Sequence, residues 1–369
     1  MMAGFRNFRL PLGVFLLSFA MLAVVQVVMR EQPILMAERF WAGAGWIQIA
    51  VIAFYGALLA FKMQDPLKAP RWRRLSWTLF TLVFFAQLAL GLAGAEQFLM
   101  SGKLHLPIPM MILGGPVYRM QLSFMSFLFL STLVLTGPAW CSHLCYFGAL
   151  DQLASDAAPR DNKATARNNK TGATCDNKTG AASNNKTSAA PAKPAKRTKR
   201  TRYFAFKFKR QVRWSIVLLV IVAALALRWL NVPVLYATLG ALAFGLTGLA
   251  VMLLLSRKYG SMIHCSLYCP IGTLVRLGKK INPFRMTLSP DCTLCMKCSS
   301  VCPYDALNPE DIKNKKPGSG CTYCGDCLSV CDAQAIHYRF FGLSPKHARQ
   351  LYLLLTISMH CLFLALAKI

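Results

Sequence analysis

The sequence predicts an all-α polytopic membrane domain of six or seven transmembrane helices that carries a small α+β module near its C-terminus. Three observations predict it. Apolar residues make up 55% of the 369 residues and charged residues only 15%, whereas a soluble domain usually carries about 25% charged residues. Apolar runs of roughly 20 residues, the length that crosses a bilayer, recur along the chain. Eight of the fourteen cysteines fall in two tight runs with one spacing, just before the last apolar segment.

The first apolar run covers residues 10–29 behind Arg6 and Arg9. It is longer than the apolar part of a signal peptide and no small-x-small cleavage site follows, so it reads as a retained span. Further spans fall near residues 41–61, 75–98, 117–135, 212–230 and 234–255, with a shorter one at 351–367. The chain thus divides into residues 1–150 (four spans), 151–211 (a linker), 212–284 (two spans), 285–340 (the cysteine-rich module) and 341–369 (the last apolar helix).

The formal charge is +28, which on a folded surface would suggest nucleic acid. Here it is concentrated between spans. From Arg160 to Arg213 there are 16 Lys/Arg against 2 Asp, and Arg71, Arg73, Arg74, Arg257 and Lys258 flank apolar runs. That is the pattern of the positive-inside rule, and it excludes nucleic acid as the partner. It places the linker and residues 257–346 on the cytoplasmic side. Asn-Lys-Thr recurs at Asn169, Asn177 and Asn185 in a segment without an apolar face, which reads as a disordered linker. Cys175 within it has no partner spacing. The basic run from Lys193 to Arg213 is suited to anionic lipid headgroups.

Between Gly102 and Arg119, His105, Pro107, Pro109, Gly114, Gly115 and Pro116 break an apolar segment. Irregular backbone at membrane depth is tolerated mainly beside a cavity, so a quinone pocket and a ligand-free re-entrant loop are both open. His105, His143, His264 and His360 carry no assigned role; hydrogen-bonded or interfacial histidines suit such positions. Trp41, Trp72 and Trp140 read as interface anchors.

The strongest motif is Cys292-x-x-Cys295-x-x-Cys298-x-x-x-Cys302-Pro303, repeated 29 residues later as Cys321-x-x-Cys324-x-x-Cys327-x-x-x-Cys331. Three closely spaced thiolates wrap one side of a cubane, and the fourth ligand comes from the other half. On that rule Cys292, Cys295, Cys298 and Cys331 hold one [4Fe–4S] cluster, and Cys321, Cys324, Cys327 and Cys302 hold the second. Structural zinc instead favours separated C-x-x-C pairs. Residues 285–340 resemble bacterial dicluster ferredoxins, so the module is expected to be a dicluster bacterial-ferredoxin-like unit. Asp332 stands where that pattern usually has Pro. Lys279, Lys280, Arg285 and Lys297 are expected to surround the module with positive charge, facing an acidic redox partner or the membrane.

A second pair of motifs is Trp140-Cys141-x-x-x-Cys145 and Cys265-x-x-x-Cys269-Pro270-Ile-Gly272. Cysteines four apart on an α-helix share a face, and two such pairs at the ends of different spans can converge. Cys141, Cys145, Cys265 and Cys269 are therefore candidates for a further iron–sulfur or redox-thiol centre, the alternative being four small buried packing residues. Spans, paired motifs and a following dicluster module together resemble the NapH/NosR family of membrane polyferredoxins, over roughly residues 75–340. Tyr146 replaces the proline of the first motif, and no large flavin domain is present.

The resemblance implies a multi-pass protein of the bacterial inner (cytoplasmic) membrane, exchanging electrons with the quinone pool and a protein redox partner. The alternative is an assembly or maturation factor that reduces a metal or thiol for another redox enzyme, and a redox sensor is a third reading. The topology is directly testable. A periplasmic phosphatase fused near Ala181 is expected to be inactive, and an active fusion would overturn the inside/outside assignment.

Overall fold

The computed structural model describes residues 8–29, 34–98, 108–122, 124–158 and 199–366. The linker tripeptides, Cys175 and His105 lie outside the described residues.

The chain forms α1 (Arg9–Val28), α2 (Ala44–Met63), α3 (Ala69–Leu92), α4 (Met111–Arg119), α5 (Phe124–Thr136), α6 (Tyr146–Asp156), α7 (Lys199–Trp229), α8 (Val234–Ala250) and α9 (Pro270–Gly278). A two-stranded module, β1 (Phe284–Leu288) and β2 (Ile336–Phe340), follows, and α10 (Pro345–Ala365) closes the chain. Among the described residues seven helices are long and apolar enough to cross a membrane: α1, α2, α3, Ser126–Leu144, Phe208–Trp229, Val234–Tyr259 and α10. Their outward faces keep large apolar side chains exposed, among them Val24, Val51, Leu82, Leu218 and Leu254. Lipid rather than water satisfies such a surface.

Three boundaries differ from the sequence reading. The fourth span runs to Leu144 and so contains Cys141 rather than ending before it. Part of the Pro/Gly-broken segment closes into a short helix, α4, with Pro116 inside it. The helix carrying the fifth span starts at Lys199, within the segment read as linker. Lys209 of its basic run pairs with Asp305 of the cysteine-rich module at 3.5 Å, so this cation meets protein rather than a headgroup.

The last span is the most enclosed, with 67% of its apolar window buried inside the protein. Ser344 caps its first turn by accepting from the backbone N–H of His347, and Pro345 occupies the first helical position, where a missing N–H costs nothing. It packs against α1 and α2, and its first turns meet β2. The strands pair antiparallel, Phe284 opposite Phe340 and Leu288 opposite Ile336. The strand period of two turns Phe284, Met286 and Leu288 inward. Tyr352 of α10 meets Phe284 at 5.3 Å and Tyr338 at 5.0 Å between ring centroids, so the module is seated on the end of a membrane helix.

Arg73 on α3 fixes that seat. Its side chain is wholly buried and donates to both carboxylate oxygens of Asp326, at 3.0 and 2.7 Å, and to the carbonyl of Ser142 at 3.0 Å. Asp326 lies between Cys324 and Cys327. Breaking one side of a buried pair leaves an uncompensated charge and costs about 3–5 kcal/mol. Arg73→Met is therefore expected to lower thermal stability by that order, with Arg73→Met/Asp326→Leu recovering part of it, measured by Tm in detergent. A double variant no more stable than the single one would show that the charge itself is not what matters.

Candidate metal centre

The 29-residue repeat is repeated in backbone conformation. Positive φ angles occur at Leu294 and Tyr323, at Met296 and Gly325, and at Asp305 and Gln334, each pair 29 apart. Left-handed backbone at non-glycine residues is uncommon and costly, so three matched pairs mark one loop geometry used twice. Each loop ends in a short helix, Lys297–Val301 and Asp326–Val330. The fourth cysteine of each run then accepts a backbone N–H on its sulfur, Ala306 to Cys302 and Ala335 to Cys331, both at 3.3 Å.

The side chains pair across the halves. A cavity of about 410 Å³ is walled by Cys292, Cys295, Cys298 and Cys331, with Leu288, Ile312 and Ile336 behind them. Burial and then the thiols of Cys292, Cys331 and Cys295 push the Cys298 thiol up to about 12. Burial, followed by Cys324, Cys321 and Cys302, likewise raises Cys327. The two neighbourhoods are thus Cys292/Cys295/Cys298/Cys331 and Cys302/Cys321/Cys324/Cys327, and Cys298 lies close enough to Cys327 to act on it electrostatically. Among the described residues no three His, Cys, Asp or Glu side chains are grouped to hold a metal ion. Zinc requires donors about 2.3 Å from one point, whereas the first set surrounds a void, a shape suited to a larger inorganic core.

The paired C-x-x-x-C motifs depart from the expected α-helical geometry. Trp140–Leu144 and His264–Tyr268 are π-turns, closed by hydrogen bonds from Cys145 N to Trp140 O and from Cys269 N to His264 O, both 2.9 Å. The wider turn is rare and clusters at functional positions. Cys145 and Cys269 then sit extended, just before the first helical residues of α6 and α9. Gly148 and Gly272, three residues after these cysteines, explain the tight return of each helix. A Cβ at Gly272 would lie 2.6 Å from the carbonyl oxygen of Cys265, and one at Gly148 would lie 3.0 Å from that of Cys141.

All four cysteines are buried at 8% exposure and converge. Burial and then Asp151, Cys141, Cys269 and Cys145 raise the Cys265 thiol; burial and then Cys269 push Cys145 up to about 12. Asp151 on α6 joins the two motifs by accepting the backbone N–H of Cys265 at 2.9 Å, and burial raises its own carboxyl to about 6. Tyr146, standing where the related pattern has proline, stacks on Phe84 with centroids 4.0 Å apart.

Three contacts bind the first motif to the second cysteine set. Tyr304 donates to the carbonyl of Cys141 at 2.6 Å, Ser142 Oγ donates to the carbonyl of Thr322 at 3.1 Å, and Arg73 bridges Ser142 O to Asp326. Arg73, Asp151, Tyr304 and Asp326 were missed in the sequence because each is a lone polar residue whose partner is remote. Trp77 is a fifth, donating to the carbonyl of Cys145 at 2.9 Å.

The expected cationic surround is different in kind. Lys279 donates to Gly318 O at 3.1 Å and lies over the Tyr323 ring, and Arg285 donates to several carbonyls, including Phe284 O at 2.7 Å. Lys297 pairs with Asp332 at 2.5 Å, so the residue that replaces proline clasps the two halves. Residues 285–340 hold six Lys/Arg and six Asp/Glu, so the module itself is neutral. Trp140 is no interface anchor: it is buried between Phe129 and Phe363, at 4.9 and 5.3 Å. His143 bonds to Ser142 Oγ, and His360 bonds to His143 O and Tyr55.

The sequence model of a 4Fe-4S binding domain matches residues 120–163 and 239–285, the two segments that carry Cys141/Cys145 and Cys265/Cys269. The match supports an iron–sulfur protein of ferredoxin type. No curated protein and no solved structure matches the chain. Gly272→Ala is expected to push the Cys265 carbonyl away and to reduce bound iron without affecting the 292–331 loops, as read by iron analysis of anaerobically purified protein. Unchanged iron in that variant would sever the turn from metal binding.

Proposed function

We propose that the chain is a membrane-bound electron-transfer protein that passes electrons between the quinone pool and a protein redox partner. In this reading Cys292, Cys295, Cys298 and Cys331 hold one [4Fe–4S] cluster, and Cys321, Cys324, Cys327 and Cys302 hold another. Cys141, Cys145, Cys265 and Cys269 hold a third iron–sulfur centre. The clusters, when bound, supply one-electron chemistry, while the chain supplies position and burial. The resemblance to the NapH/NosR polyferredoxins, the inner-membrane location and the cytoplasmic placement of the module belong to the same reading.

The observation that carries it is the contact of the first C-x-x-x-C motif with the second cysteine set through Tyr304, Ser142 and Arg73. Three sets of four cysteines then form a row. At one end Cys292 and Cys295 are partly exposed beside the surface residue Leu294, which suits exchange with a partner protein. At the other end Cys145 borders an apolar crevice lined by Phe80, Phe84, Ile112, Trp140, Tyr146 and Phe363. The buried indole N–H of Trp140 has no hydrogen-bond acceptor among the described residues, and a quinone carbonyl would supply one. The crevice holds only about 20 Å³ of free volume, so a quinone ring enters only when these side chains part.

Two cubanes give about 8 iron atoms per chain and three give about 12. Anaerobically purified protein is expected to hold about 12 iron with matching acid-labile sulfide, falling in Cys141→Ser and Cys265→Ser, whereas about 8 in all three would remove the third centre. Cys295→Ser is expected to abolish one cubane signal in low-temperature EPR and to disturb its neighbour, and a quinol analogue is expected to reduce the wild type. Clusters that no quinol reduces or re-oxidises would sink the quinone link.

A further inference from the structure

One small crevice is lined together by Cys321 of the second cysteine set, by Cys141 and Cys265 of the C-x-x-x-C set, and by Arg276. Arg276 is on α9 and donates to the carbonyl of Ser266 at 3.2 Å. Among the described residues it forms no ion pair with a carboxylate. Its charged neighbours are Arg213 and Lys279, which repel it, and the Cys141, Cys265 and Tyr304 groups, which attract it when ionised. The guanidinium lies alongside Gly320, next to Cys321: a Cβ at Gly320 would be in ordinary contact with its two terminal nitrogens, at 3.4 and 3.5 Å.

A largely buried cation beside two others, with no carboxylate in contact, is unfavourable against neutral thiols. The same cation between two thiolate-ligated clusters is favourable, because each cluster carries negative charge and gains more on reduction. Net charge and polar contacts around a cluster set its reduction potential.

Resting on the three-centre reading above, we propose that Arg276 is the shared cation that raises the reduction potentials of both the Cys302/Cys321/Cys324/Cys327 cluster and the Cys141/Cys145/Cys265/Cys269 centre. It is a positioning residue and not a ligand. The step it serves moves one electron from the reduced member of the pair to the oxidised member, with no bond made or broken. Because the cation faces both, the charge stays near it on either side of the step, and neither centre becomes a trap for the electron. Burial lowers the Arg276 guanidinium to about 10, which leaves it charged at neutral pH.

The test is an anaerobic dithionite titration of the full-length protein followed by EPR. Arg276→Gln is expected to lower the midpoint potentials of both centres, and Arg276→Lys to restore most of the shift. Ser319, exposed at the rim of the same crevice, supplies an opposite perturbation: Ser319→Lys is expected to raise both. Opposite signs at one crevice are not produced by loosened packing. Unmoved potentials, a shift confined to one centre, or shifts of one sign in Arg276→Gln and Ser319→Lys would overturn the role. Should Arg276→Gln fail to load iron, Ser319→Lys and Arg276→Lys decide alone, and a Ser319→Lys protein with unmoved potentials overturns it. Wild-type iron separates the two ideas: about 8 atoms per chain removes the third centre and the shared role together, while about 12 with unmoved potentials removes the role alone.

Discussion

A guanidinium buried at the foot of a membrane helix must find an anion, because an unpaired charge out of water costs several kcal/mol. Arg73 finds Asp326, and through that choice it determines where everything else sits. Asp326 lies between two cysteines of the second loop, so the pair pins that loop to α3. The remaining guanidinium donor takes the carbonyl of Ser142, next to Cys141. One side chain therefore sets the spacing between the second cysteine loop and the first C-x-x-x-C motif, with Tyr304 and Ser142 completing the clamp. Replacing the pair by apolar residues could preserve stability in principle. It would not preserve this register, since apolar contacts have no preferred geometry at the level of a single hydrogen bond.

Two duplications act within that frame, and they differ in how openly the sequence displays them. The 29-residue repeat was legible because its cysteines recur at fixed short intervals, the spacing a cubane would demand, and the eight cysteines fall into two crossed neighbourhoods. The C-x-x-x-C pair was legible as a spacing but not as a shape. Cysteines four positions apart suggest one turn of α-helix, whereas the chain widens to a π-turn and leaves the second cysteine extended. What could have signalled this is Gly148 and Gly272. Each stands three residues after its cysteine, where the following helix crosses the carbonyl of the motif's first cysteine.

The seven helices long and apolar enough to cross a membrane were readable from apolar length alone, as six or seven, though their ends were not. Hydropathy fails at ends because the fourth span continues into residues that bury against protein instead of lipid, as Gly137 to Leu144 do. The polar residues that organise the site were illegible for a different reason. Arg73 looks like any basic residue flanking a span, and Asp151 and Tyr304 look like ordinary helix and loop residues. Their roles depend on partners 253, 114 and 163 positions away, and no local pattern encodes such a pairing. Three of the cations expected to surround the module, Lys279, Arg285 and Lys297, meet carbonyls or a carboxylate of the chain, since charge in a sequence does not reveal which group it meets.

Exposure is graded along the row of cysteine sets, and the gradient bears on how the chain would work. Three members of the first set are partly exposed, the second set is more buried, and all four C-x-x-x-C cysteines are buried to the same degree. Burial in low dielectric disfavours added charge, so a reduced centre becomes harder to form toward the membrane unless a fixed positive charge offsets it. The buried cations follow that need: Arg73 and Lys279 lie beside the second set, and Arg276 lines the crevice that the second set shares with the innermost one. Arg73 is largely neutralised by Asp326, so Arg276 is the cation left to oppose the burial of the inner cysteines. In the electron-transfer reading proposed above, a row graded in burial but levelled by charge would let an electron move either way with little change in energy.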